Sequence, residues 1–126
     1  MNSTKLRQAT IKHIENEIRA IKETEQEIDY MFESSHDREF IFKNRNIMPL
    51  VFLNRRVRKM QDIVTVIRET FDECPKDQQK VIELRYWSRK NLTWDGIAME
   101  LSMHRNTAHN YKNDFIDLVA KKLGWM

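Results

Sequence analysis

The sequence predicts an all-α protein: a long N-terminal helical hairpin followed by a three-helix helix-turn-helix domain. Three observations point there. Two glycines and two prolines in 126 residues leave few places for the tight turns that many short strands need. Apolar residues recur at spacings of three and four over long stretches, the period of a helix with one buried face. Near the C-terminus two such stretches stand a few residues apart, and the second is polar along one side, as in a helix-turn-helix. The implied division is residues 1–73 for the hairpin and 74–126 for the C-terminal domain.

Over residues 4–32 the apolar positions are Ile11, Ile14, Ile18, Ile21, Ile28 and Phe32, a narrow stripe interrupted once, at Glu25. Such a helix is expected to lie against one partner and not to be stable alone. Ser34, Ser35, His36 and Asp37 supply turn and capping chemistry, so residues 34–47 read as a connector. Pro49 suits the first turn of a second helix. Leu50, Leu53, Val57, Met60, Val64, Ile67 and Phe71 then repeat without a break, and Ile63 and Val66 widen the face. Periodicity does not say whose helix fills the other side: an intramolecular hairpin and a homodimer surface fit equally.

Pro75 breaks the preceding hydrogen-bond ladder and opens the next helix, expected to reach about Trp87. Residues 88–91 form a polar break. Thr93 is an N-cap candidate for a helix reaching Leu101, and the last helix starts near Arg105, with Gly124 as its stop.

Composition excludes several classes. A hydrophobic fraction of 40% with 33% charged residues and a mean hydropathy of −0.71 argue against a membrane protein. The polar, partly acidic start lacks the apolar stretch of a secretory signal, so a cytoplasmic location is expected. Cys74, the single cysteine, has no partner for an internal disulfide and reads as a plain thiol. His104 and His109 are five apart, the wrong spacing for a metal pair on one helical face, so no metal site is expected. Without a Gly-rich phosphate loop or a nucleophile–base pair, no catalysis and no cofactor is expected either. The net charge is +3 and the pI near 9.1. Residues 1–46 carry 8 Lys/Arg against 9 Asp/Glu, residues 47–74 carry 5 against 4, and residues 75–126 carry 9 against 6. The excess at the C-terminal end suits a region that meets phosphates.

In that region Ile97, Ala98 and Leu101 are expected to pack against Met103, Ala108 and Tyr111, the small alanine allowing a close helix crossing. Arg105, Asn106, His109, Asn110 and Asn113 then fall on the opposite side of the last helix. Arginine pairs bidentately with guanine and asparagine with adenine, so these five are candidates for reading base edges in a major groove. Arg89, Lys90, Thr93, Thr107 and Lys112 are candidates for phosphate contacts. Asparagine and histidine are poor helix formers, which weighs against a merely solvated face.

Leu84, Arg85, Tyr86, Trp87, then Leu92, Thr93, Trp94, Ile97, Ala98, Leu101, then Arg105, Asn106, Thr107, and finally Leu123, Gly124 and Trp125 together resemble the phage late-gene activators of the RinA type and the similar ArpU-type regulators. The similarity covers residues 75–125 closely and 50–73 more loosely. It implies a DNA-binding motif related to promoter-binding region 4 of sigma factors, an activator of phage or prophage late genes, and a contact with RNA polymerase. The chain departs from that pattern at Gly96, where an acidic residue would complete a capping box, at His104, where serine or threonine usually caps, and at Ser102, a turn position often held by glycine. Two other classes fit the helices: a DNA-packaging component such as a small terminase subunit, and a helical protein-interaction module.

Overall fold

Helices make up nearly all of the regular structure, and no strand occurs among the described residues. The computed structural model describes residues 7–35 and 47–125, with side chains for residues 7–31 and 55–125. Among the described residues six helices follow in order: α1 Gln8–Arg19, α2 Ile21–Ser35, α3 Ile47–Glu73, α4 Lys76–Ile82 with a π-helical extension Glu83–Trp87, α5 Trp94–Glu100 and α6 Arg105–Leu123. Among the sequence expectations, the side chains of Phe32, Leu50 and Leu53 and connector positions 36–46 lie outside the described residues. Ser34 and Ser35, assigned to the connector, are helical.

The single helix expected over residues 4–32 is two helices, broken at Ala20. The break is one residue long: the Thr24 amide already donates to the Ala20 carbonyl at 2.8 Å. The stripe divides there because its two halves are buried by different partners. Ile14 and Ile18 are fully buried in a compact unit formed by the chain up to Arg19 and from Val66 onward. Ile28 and Met31 pack with Val57, Met60 and Val64 in a second unit, Ala20–Thr65. In that second unit the stripes of α2 and α3 therefore meet within one chain. The division at residues 73 and 74 read from the sequence follows a helix end. The compact units follow which elements lie close together, and they group α1 with the C-terminal helices.

In the first unit α1 packs against α6 and the π turn. Trp87 Nε1 donates to the Ile18 carbonyl at 2.8 Å, satisfying one of the carbonyls that the end of α1 leaves without a helical partner. The Tyr86 hydroxyl donates to Glu15 Oε2 at 2.6 Å, and the Arg19 guanidinium lies over the Tyr86 ring at 5.2 Å. Burial, the Glu15 hydrogen bond and the Glu15 charge push the Tyr86 phenol far above its ordinary pKa. His13 and Trp125 add a ring contact at 4.9 Å.

Side chains also close the gap between α3 and α4. Gln79 Nε2 donates to the Phe71 carbonyl at 2.8 Å, and Cys74 Sγ donates to the Thr70 carbonyl at 3.1 Å. Burial first, then the Glu73 charge, raise the Cys74 thiol pKa, which favours the protonated sulfur at neutral pH. Gln78, a buried polar residue, donates from Nε2 to the Tyr111 carbonyl at 3.1 Å. That bond ties α4 to the middle of α6 and leaves no buried amide cost.

Candidate nucleic-acid interface

Helices α5 and α6 cross over a core of Val81, Ile97 and Ala108, with Leu84, Leu92, Trp94, Leu101, Met103 and Tyr111 packed around it. The small residues at 98 and 108 are both buried, and each of the six residues expected at this crossing is buried or half-buried.

Local chemistry sets both ends of α5. Thr93 caps it, its Oγ1 accepting from the Gly96 amide at 3.1 Å. With glycine at 96 no acidic side chain reaches back, so the cap is one-sided. At the other end the Met103 amide donates to Ala98 O at 3.0 Å and the Ser102 amide to Met99 O at 3.3 Å. These two bonds make a Schellman motif with Ser102 in the left-handed position, φ 54. The end of α6 repeats the arrangement: Trp125 N–H donates to Ala120 O at 2.9 Å, Gly124 N–H donates to Lys121 O at 3.2 Å, and Gly124 takes φ 74. Serine thus holds in the inter-helix turn the conformation that glycine holds at the C-terminus, at a steric cost.

The start of α6 has no side-chain cap from His104 and no acidic residue in its first turn. Arg105 therefore sits where the helix dipole disfavours a cation. Its Nη1 lies 3.7 Å from Asp95 Oδ1, both side chains being well exposed. Asn106, Thr107, Asn110 and Asn113 are also exposed. His109 differs from them: it is half-buried, its ring 4.7 Å from Trp94. The five base-reading candidates thus form two adjoining rows, Asn106, Asn110 and Asn113 in the open and Arg105 and His109 beside α5. Asp114 and Asp117 continue the open row as acids, so the uncharged polar face ends at Asn113.

Among the phosphate candidates, Arg89 and Lys90 are exposed just after the π turn. Lys90 Nζ is bound to Glu100 Oε1 at 2.6 Å. Lys112 is half-buried, with Nζ 5.8 Å from the Trp94 ring. Arg85 covers the same ring at 4.8 Å, and its Nε is buried with no hydrogen-bond partner among the described residues. One indole therefore gathers Arg85, His109 and Lys112. Burial first, then the Lys112, Arg105 and Arg85 charges, lower the His109 pKa. Burial likewise lowers that of Lys112, against the pull of Glu15.

Sequence reasoning missed Arg85, Asp95 and Glu100. The two ion pairs join residues ten apart, Lys90 to Glu100 along α5 and Asp95 to Arg105 across the turn after it, outside the three- and four-residue spacing that reveals pairs on a helix, and Arg85 enters through the Trp94 ring.

A family model described as "Protein of unknown function (DUF722)" matches residues 3–121. The chain belongs to this family. The matched span runs from before α1 to Lys121 near the end of α6, so DUF722 takes in both compact units and the whole polar face of α6. No curated protein and no solved structure matches the chain.

Proposed function

We propose that this DUF722 chain is a sequence-specific, double-stranded-DNA-binding transcription regulator, an activator of phage or prophage late genes, that reads its site with the first half of α6. It works without a cofactor in the cytoplasm of the bacterial host cell, and touches RNA polymerase in the manner that its resemblance to sigma region 4 implies. The observation that carries the reading is the polar face of α6: Arg105, Asn106, Asn110 and Asn113 are exposed at the N-terminal end of the second helix of a helix-turn-helix, the part of such helices that meets base edges. The core of the motif does not use them, and their residue types suit guanine and adenine. Arg89, Lys90, Thr93, Thr107 and Lys112 flank that face as phosphate contacts. Freeing Arg105 from Asp95 and Lys90 from Glu100 costs little, because exposed ion pairs contribute about 0–1 kcal/mol.

The test is a salt titration of binding to duplex fragments from upstream regions of the chain's own genome. Arg105→Ala is expected to flatten the preference among fragments by about 1–3 kcal/mol, whereas Lys112→Ala weakens all fragments alike and lowers the salt slope by about 1. Equal binding of every fragment, with Arg105→Ala indifferent, sinks the reading.

A further inference from the structure

Helix α3 carries Arg55, Arg56, Arg58 and Lys59 within five residues, a charge cluster that α6 and its turn do not involve. All four side chains are exposed, and Val57 in their midst is buried against α2. At about 100° per residue the four cations lie between about 100° and about 260° from Val57, centred on the side of the helix opposite its buried face. They form one basic strip, with Arg58 and Lys59 each about one turn from Arg55 and Lys59 about one turn from Arg56.

Among the described residues the strip carries an excess of positive charge. Asp62, about one turn beyond Arg58 and Lys59 on the same side, is the one acidic residue between positions 47 and 65, so four cations face one anion there, and no ion pair engages any of the four cations among the described residues. Like charges three and four apart weaken a helix, so stability does not account for the cluster. Three of the four are arginines, whose planar fork matches phosphate oxygens in pairs. A lipid surface fits less well. The large apolar side chains that stand exposed among the described residues are Tyr30, Met99 and Leu118, none of them within residues 55–73 of α3, so this stretch carries its charge without the apolar wedge of a membrane-lying helix.

We infer that Arg55, Arg56, Arg58 and Lys59 form a second nucleic-acid contact, a sequence-independent phosphate clamp on double-stranded DNA carried by the other compact unit. The inference goes beyond the reading of α6 and does not depend on it. It makes the N-terminal half a contributor of affinity while α6 contributes selectivity.

The test uses the full chain and a duplex of scrambled sequence. The variant Arg55→Gln/Arg56→Gln/Arg58→Gln/Lys59→Gln is expected to lower the slope of log affinity against log salt by about 3–4, and Arg58→Gln/Lys59→Gln alone by about 2. Both should weaken all sequences equally and keep any preference among them, the reverse of Arg105→Ala. All four residues are exposed, so far-ultraviolet circular dichroism should be unchanged; if the fourfold variant does not fold, the double variant decides. Wild-type duplex affinity and slope in the folded variant overturn the clamp. So does a loss of binding seen with anionic-lipid vesicles or polyglutamate and not with DNA.

Discussion

Within α6, residues 105–113 bury one side chain, Ala108, whereas residues 114–123 bury Phe115, Ile116, Val119 and Ala120. The halves share one backbone ladder and differ in what holds them. The second half is anchored by the apolar core, and by Lys122 Nζ bound to Glu73 Oε2 at 2.7 Å. The first is held at the crossing with α5, at Trp94, at a turn and by the Gln78 bond to the Tyr111 carbonyl, and leaves its asparagines to solvent. A helix built this way separates stability from recognition along its length: the anchored end fixes the angle at which the other end is presented.

The largest expected effect breaks the anchored half. Phe115 is fully buried, and Phe115→Ala should cost about 3–5 kcal/mol of unfolding free energy, lost transfer energy and a cavity together. Urea unfolding measures it. A cost below 1 kcal/mol would mean that the core collapses around the gap and that residues 114–123 are no anchor.

A smaller effect of opposite sign comes from the turn that sets the presented half. Ser102 holds φ 54 in the Schellman turn after α5. Ser102→Gly should raise stability by about 0.5–1 kcal/mol by removing the left-handed steric penalty, less the extra entropy of the unfolded glycine chain. Gly124 at the matching place after α6 already has this benefit, so Gly124→Ala should move in the other direction. Thermal melts of the two variants shifting the same way would contradict the equivalence of the two ends.

Much of this arrangement could be read before any coordinates. Helix period, Pro75, the Thr93 cap and the small residues Ala98 and Ala108 are local signals, and they locate α4, α5, α6 and the crossing. The break at Ala20 escaped because the isoleucine period runs through it; a period records that a face is buried, not that it changes partner. The π turn that brings Tyr86 and Trp87 to Glu15 and Ile18 leaves no mark in the apolar pattern. Trp94 was visible only as part of a family resemblance. Its gathering of Arg85, His109 and Lys112 depends on three elements meeting, which no spacing within one element encodes.

Asn110 sharpens the contrast between the halves. It is exposed, and asparagine in a helix interior costs about 0.5 kcal/mol relative to alanine. Asn110→Ala should therefore make the protein more stable by about that amount while weakening its discrimination among DNA sites. A variant that gains stability and keeps wild-type discrimination would make Asn110 an ordinary solvated residue.

The smallest effect concerns His109, at the border of the two rows. Its pKa lies below the ordinary value of 6.5 because of burial first, then the Lys112, Arg105 and Arg85 charges, with Glu15 opposing. Below pH 6.5 the unfolded chain takes up the proton before the folded one does. Stability from this group is thus complete above that pH and falls as pH drops toward the lower folded value. DNA phosphates near the ring would favour its charged form, so binding should take up a proton and tighten as pH falls from about 7.5 to about 5.5. His109→Gln should remove this slope. An unchanged pH dependence in His109→Gln would place the proton elsewhere and leave His109 as packing for Trp94.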